Sequence, residues 1–195
     1  ATSNYDAGVT AAHHLAELND ETGNLGLITI PGQLNHEQRA QGFQDTIANE
    51  YPDMEVVSVQ DGESDQSASA RAMGSMLQAN PNLAGVFTTE ASTGVGAATA
   101  VREAGMVGDI NIVSFDVDKG TLDFVKEGVI DATLSQGTWN MGYWGQMFLF
   151  HLNEGLLKPI EGGDWQKAGV SPLPSYVDTG VSLVTEENVD YYYTD

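Results

Sequence analysis

The sequence predicts an α/β fold, a doubly wound parallel sheet, and three observations carry that expectation. Short apolar, partly β-branched runs recur along the first two thirds of the chain. Stretches with helical periodicity separate them. Gly, Asn, Asp or Pro bounds each apolar run, as turns require. Strands that are near-continuously apolar, instead of alternating, are expected to be buried on both faces, the habit of a parallel sheet.

In chain order, a leading helix is expected over residues 5–18, then a strand over 25–30 (LGLITI). Asn35 and Gln38 have the spacing of a capping box for a helix running to about residue 49. A strand is expected over 54–59. In the next helix Ala68, Ala72, Met73, Met76 and Leu77 share one face. A strand over 84–88 leads to a helix with Ala97, Ala98, Val101 and Ala104 on one side, and Gly105 marks its stop. Strands at 110–115 and 132–134 flank a short helix over 121–127. Right-handed crossovers then give the doubly wound sheet.

After Gln136 the rhythm changes. The segment from Asn140 to Glu154 reads as a helix rich in large apolar groups: Met141, Tyr143, Trp144, Met147, Phe148 and Phe150. A Gly/Pro-rich irregular stretch covers 156–174. A late strand is expected over 176–185, followed by an acidic, tyrosine-rich tail.

Composition narrows the function. Of 195 residues, 28 are Asp or Glu and 7 are Lys or Arg, a formal net charge of −21. That balance opposes binding to nucleic acid or to anionic lipid. There is no cysteine, so disulfides, thiolate chemistry and Cys-based zinc sites are excluded. No apolar run approaches the roughly 20 residues that span a bilayer. No signal peptide is visible, and the chain opens ATSNYDAG without an initiator Met, as a mature or trimmed chain would.

In open α/β sheets ligands bind beyond the carboxyl ends of the strands. The loops there contain Gln33, Asn35, His36 and Glu37; Asp61, Glu63 and Asp65; Thr89 and Glu90; Phe115, Asp116 and Asp118; and Gln136, Thr138 and Trp139. Carboxylates and amides pair with vicinal hydroxyls, and aromatic rings cover C–H faces, so the set suits a neutral polyhydroxyl ligand. It suits phosphate poorly, because these loops hold no Lys or Arg. Each residue also has a plainer reading. Asp116 or Asp118 could cap the helix that follows, Glu37 could complement a helix dipole, Phe115 could be core, and Gln136 could be a turn residue.

Enzyme motifs fit less well. GVGAAT at 94–99 nearly matches G-x-G-x-x-G, but Thr99 replaces the third glycine and both glycines fall inside a helix. His13 and His14 are adjacent and cannot share a helix face as metal ligands. DGESD at 61–65 lacks EF-hand order. Neither a G-x-S-x-G elbow nor a P-loop occurs. Glu90 and Asp116 could pair as glycosidase carboxylates, at a separation that sequence does not supply. No cofactor and no metal are expected.

The stretches NYDAG (4–8), LGLITIPGQLNHEQRAQGF (25–43), LAGVFTTEASTGVGAATAVREAG (83–105) and INIVSFDVDKGTLDFVKEGVIDATLSQ (110–136) resemble the ribose/galactose-type periplasmic sugar-binding proteins, soluble receptors of ABC transporters. The same fold forms the effector domain of LacI-type repressors. The resemblance implies that Phe115, Asp116 and Gln136 contact a sugar. The relatives' binding asparagine falls on Glu90, and their binding arginine near Glu37, while Arg39 matches a more structural arginine. Asn35 and Trp139 complete the expected ligand-binding set. No residue is expected to be catalytic.

By the same resemblance, residues 1–136 form the C-terminal, ligand-binding lobe, and the chain starts where the relatives first cross into it. Residues 137–175 would be a crossover helix and irregular segment that pack on the other lobe, most of which is missing, and 176–195 a final strand and acidic tail. The expected function is a periplasmic or extracellular sugar receptor, with or without a lipid anchor on the full-length protein. It would hand its sugar to the membrane permease of an ABC transporter. The helix from Asn140 to Glu154 is expected to bury its aromatics by self-association with another copy or by folding back on the sheet. The alternatives are a LacI-type effector domain and, less favoured, a Rossmann-like enzyme.

Overall fold

The computed structural model describes residues 1–160 and 164–194; positions 161–163 of the irregular stretch and 195 of the tail lie outside the described residues. The elements run α1 (Asn4–Leu18), β1 (Gly23–Thr29), α2 (Leu34–Glu50), β2 (Met54–Asp61), α3 (Gln66–Ala79), β3 (Leu83–Thr88), α4 (Ala91–Glu103), β4 (Asn111–Phe115), α5 (Lys119–Lys126), β5 (Ala132–Gln136), α6 (Thr138–Asn153) and β6 (Val181–Thr185). The sheet order is β2-β1-β3-β4-β5-β6. The pairs β1–β2, β1–β3, β3–β4 and β4–β5 are all parallel. The order reverses at β1, where the chain passes from β2 back across to β3. This is the doubly wound α/β sheet that the alternating periodicities predict.

The chain divides into two compact units: Asn4–Ser135 with Ser182–Asp195, and Ala1–Ser3 with Gln136–Val181. The first unit holds the core. Ile28, Val86 and Ile112 lie on the three central strands, and Met73, Met76, Ala97, Ala98 and Val101 pack on them from α3 and α4. Phe43 of α2 meets Phe87 of β3 with ring centroids 5.0 Å apart. α1 and α2 cross closely because glycines sit at the crossing. A Cβ on Gly8 would lie 2.1 Å from the Arg39 carbonyl oxygen, and one on Gly42 would lie 2.1 Å from that of Tyr5.

Three local expectations are corrected. β2 is not buried on both faces: of its eight residues only Met54 is buried, because β2 is the sheet's edge. The Asn35/Gln38 capping box does not form. α2 starts two residues earlier, with Gln33 as N-cap, and the Gln33 carbonyl takes the N–H groups of His36 and Glu37. The Glu37 carboxylate reaches back to the Gly32 N–H at 3.0 Å. The late strand begins at Val181 rather than 176. Before it the Asp178 carboxylate accepts the N–H of Gly180, which has φ +76°, and that turn prevents an extended start.

In the second unit, α6 has no buried residue. Trp139, Tyr143, Trp144, Leu149 and Phe150 are exposed. Trp139 stacks on Tyr143 at 5.0 Å with planes 8° apart, and Trp144 stacks on Phe148 at 6.1 Å. Met141, Trp144 and Phe148 join Pro174, Tyr176 and Val177 around a cleft of about 430 Å³. No helix among the described residues is long and apolar enough to cross a membrane.

Candidate functional site

The ends of β1, β3 and β4, with the first turns of α2, deliver the polar residues to one place. Arg39 is its centre. Its guanidinium carbon lies 3.6 Å from the centroid of the Phe115 ring. Its Nε donates to Asn4 Oδ1 at 3.0 Å and its Nη1 to the Thr89 carbonyl at 2.8 Å. Arg39 is 3% exposed. Burial lowers its pKa to about 10, against the opposing pull of the Asp116 and Glu90 carboxylates, so it remains a cation at neutral pH.

Asp116 follows β4 in the left-handed region, at φ +68°. That conformation costs a non-glycine residue roughly 1–2 kcal/mol. Two hydrogen bonds hold it there: its N–H donates to the Leu134 carbonyl at 2.8 Å, and its carbonyl accepts from Thr133 Oγ1 at 2.7 Å. Asp116 is not the cap of α5. That place belongs to Asp118, whose side chain makes no capping bond.

Glu90 is the N-cap of α4. Its carboxylate accepts from Ser92 Oγ, and Thr93 Oγ1 donates to its carbonyl at 2.8 Å. A carboxylate offers about four acceptor positions, so capping leaves capacity for a ligand hydroxyl. His36 is buried on the same face of α2 as Arg39, with Nδ1 3.0 Å from Thr89 Oγ1. Burial first, and then the Arg39 guanidinium, lower its pKa, so the imidazole is neutral at pH 7.

The expected set thus divides. Glu90 and Asp116 converge on Arg39, and both are half-buried. Glu37 and Asn35 lie in the first turn of α2, exposed and half-buried respectively, with Glu37 tied to Gly32. Phe115 presents no face for stacking on a ligand: its ring is 0% exposed, with the Arg39 guanidinium on it. Gln136 and Trp139 belong to the other compact unit. There Gln136 Oε1 accepts from Thr2 Oγ1 at 2.8 Å, and Trp139 is 72% exposed. Among the described residues no group of three or more His, Cys, Asp or Glu side chains could hold a metal ion. Both glycines of the near-dinucleotide motif lie inside α4.

Residue-by-residue reading placed His36 and Thr89 in the strand-end loops without giving them a ligand role, and it missed the central place of Arg39. The available signal was helical spacing: His36, Arg39 and Phe43 share one face of α2, and all three are buried.

Residues 1–156 match the periplasmic binding protein domain family. Among curated proteins, the chain is 33% identical over 141 residues to a D-apiose import binding protein of Actinobacillus succinogenes, covering 71% of this chain and 45% of that protein. It is 29% identical over 170 residues to a D-ribose/D-allose-binding protein of Pseudomonas aeruginosa, covering 87% and 48%. Among solved structures, it is similar to a sugar-binding protein of a sugar ABC transporter from Bacillus halodurans, with TM-score 0.93, 52% identity, and coverage of 99% of this chain and 65% of that one. The arabinose-binding protein AraP of Geobacillus stearothermophilus superimposes with TM-score 0.92 at 50% identity, with coverage of 99% and 64%. The chain spans about half the length of the curated relatives it matches and slightly under two thirds of these solved chains. With its doubly wound sheet and its match over residues 1–156, the chain belongs to the periplasmic binding protein domain family and has the fold of a type I lobe.

Proposed function

We propose that this chain forms one lobe of the extracytoplasmic sugar receptor of an ABC importer, and that its ligand is a neutral sugar of the pentose class. One observation carries this reading: the half-buried carboxylates of Glu90 and Asp116 act electrostatically on a single buried guanidinium that already serves Asn4, Thr89 and the Phe115 ring. The carboxylates accept hydrogen bonds from hydroxyls, and the engaged Arg39 offers little to an anion. Sugar acids and sugar phosphates would therefore be refused. The pentose class follows the relatives, whose names specify apiose, ribose and arabinose.

In this reading Asp116 and Glu90 grip hydroxyls, and Asn35 and Glu37 border the site from α2. Phe115 acts indirectly, as the surface on which Arg39 rests. The site binds and releases; it performs no chemistry. The partner is a membrane permease that receives the sugar. Residues 4–135 are the ligand-gripping body, and the exposed aromatics of α6 associate with a second apolar surface, either another part of the receptor or another copy.

A titration of L-arabinose, D-ribose and D-xylose, with D-glucuronate and ribose 5-phosphate as anionic controls, tests the reading. Neutral pentoses are expected to bind and to shift signals of Glu90 and Asp116, and the anions are not. Preferential binding of the anions would overturn it.

A further inference from the structure

His36 has no role in the reading above, yet it is a buried titratable group inside the site. It is 5% exposed, and its Nδ1 is 3.0 Å from Thr89 Oγ1. Two longer contacts close a ring. Thr89 Oγ1 is 3.3 Å from Thr29 Oγ1, and Thr29 Oγ1 is 3.5 Å from the His36 carbonyl oxygen. Both threonines are buried as well.

The direction of these bonds follows from counting protons. Each hydroxyl carries one proton, and a carbonyl carries none. Three contacts need three protons, so the third must come from Nδ1. The order is then Nδ1–H to Thr89, Thr89 to Thr29, and Thr29 to the His36 carbonyl. With the proton on Nε2 instead, the Thr89–Thr29 contact would lack a hydrogen and the ring of bonds would be open. The groups facing the imidazole are Arg39 on its own helix, Thr89 and Glu90 after β3, and Asp116 after β4.

Thr89 immediately precedes Glu90, and it is held at three points. Its N–H donates to the Ile28 carbonyl at 3.1 Å, its carbonyl accepts from Arg39, and its hydroxyl belongs to the ring. The first two fix the peptide planes on either side. The hydroxyl contact ties the corner to α2 through His36.

We propose that His36, as the Nδ1–H tautomer, is a positioning residue that fixes the Thr89–Glu90 corner and thereby sets the affinity of the ligand site. The affinity part rests on the sugar-binding reading; the fixing of the corner does not.

Three proteins test this: the 195-residue chain, His36→Asn and His36→Gln. The Asn amide places an N–H near the position of Nδ1, whereas the Gln amide places it near Nε2. Nitrogen NMR of the unsubstituted imidazole at pH 7 is expected to show Nδ1 protonated and Nε2 bare. Amide exchange at Thr89 should stay within about twofold of the parent in His36→Asn and quicken roughly tenfold in His36→Gln, the loss of one modest hydrogen bond. L-arabinose affinity, followed at the Glu90 amide, should fall by the same rough tenfold in His36→Gln only. A bare Nδ1, or equal Thr89 exchange in the two variants, overturns the proposal. Unchanged arabinose affinity in His36→Gln overturns its affinity part. If the imidazole and exchange results hold while none of L-arabinose, D-ribose or D-xylose shifts Glu90, the sugar reading fails and the fixing of the corner stands.

Discussion

The guanidinium of Arg39 sits over Phe115 with its carbon 3.6 Å from the ring centroid, and this pair organises the site. Phe115 ends β4 and Arg39 lies one turn into α2, so the contact joins two elements that are distant in sequence. A planar cation on an aromatic face is stabilised by the ring quadrupole, by about 2 kcal/mol or more when desolvated. Arg39 in turn hydrogen-bonds Asn4 of α1 and Thr89 after β3. Four segments thus share one buried side chain.

Replacing Arg39 with Met should therefore destabilise the fold strongly. The change leaves the Thr89 carbonyl without its donor and deprives Glu90 and Asp116 of their nearby cation. Breaking a buried ionic network by removing one partner costs about 3–5 kcal/mol. Arg39→Lys should recover only part of this, because an ammonium cannot lie flat on the ring and serve two acceptors in fixed geometry. Urea unfolding monitored by circular dichroism measures both; equal stability of Arg39→Met and the parent would contradict the role.

Acid should weaken the fold through His36. Its pKa is lowered in the folded chain by burial and by Arg39, outweighing Glu90, the Thr89 backbone and Asp116. The unfolded chain takes up this proton first, near the ordinary histidine value of about 6.5. The histidine's contribution is therefore complete above that pH and is lost as pH falls toward and through the lower, folded value. In His36→Asn this component of the pH dependence should vanish. Unfolding free energies measured from pH 7.5 down to pH 5 check it; an unchanged slope in the variant would refute the assignment.

The glycine crossing of α1 and α2 gives a sharper stability test. Gly42→Ala would push a methyl to 2.1 Å from the Tyr5 carbonyl oxygen, a backbone atom that cannot swing aside. The helices must separate, and Arg39, three residues before Gly42, moves with them. A loss of about 1–3 kcal/mol is expected, the usual penalty for overpacking. Calorimetric melting measures it, and a melting temperature equal to the parent's would show that the crossing is looser than the structure has it.

The excess of carboxylates predicts a salt response. With net charge −21, self-repulsion should be screened as the Debye length falls from about 10 Å at 0.1 M salt to about 3 Å at 1 M. The melting temperature should rise between those NaCl concentrations. A flat or falling value would mean that repulsion costs the fold little.

Much of this molecule was legible before the structure. Five strands and the helices between them followed from periodicity, because a buried parallel strand and an amphipathic helix leave different repeats in sequence. β2 misled because edge position is a property of strand order, and Val56, Val57 and Val59 read the same at an edge as in the centre. The α2 cap misled because a backbone carbonyl and Glu37 satisfied N–H groups that Asn35 and Gln38 also could have served. In the site, both carboxylates were readable as strand-end groups, and both lie within electrostatic range of Arg39. The place of Phe115 was not readable. Whether an aromatic at a strand end stacks on a ligand or on an arginine depends on where α2 crosses, which Gly8 and Gly42 set through contacts some 30 residues apart in the chain.

Asp116 is the residue on which the account turns, and a sugar titration of the chain with and without its carboxylate is the most direct measurement. In the proposed reading Asp116, held at φ +68° by Thr133 and Leu134, gives a ligand hydroxyl a charged acceptor, a bond that would contribute about 1.5–3 kcal/mol. One lobe covers only one side of a sugar, so L-arabinose should bind the 195-residue chain no better than roughly millimolar, near −4 kcal/mol. The shifts should centre on Glu90 and Asp116. Asp116→Ala should weaken binding by about a hundredfold, in effect abolishing saturation, while Asp61→Ala at the sheet's edge leaves it unchanged. Pentose-induced shifts that avoid Asp116, or an affinity indifferent to Asp116→Ala, would contradict the account.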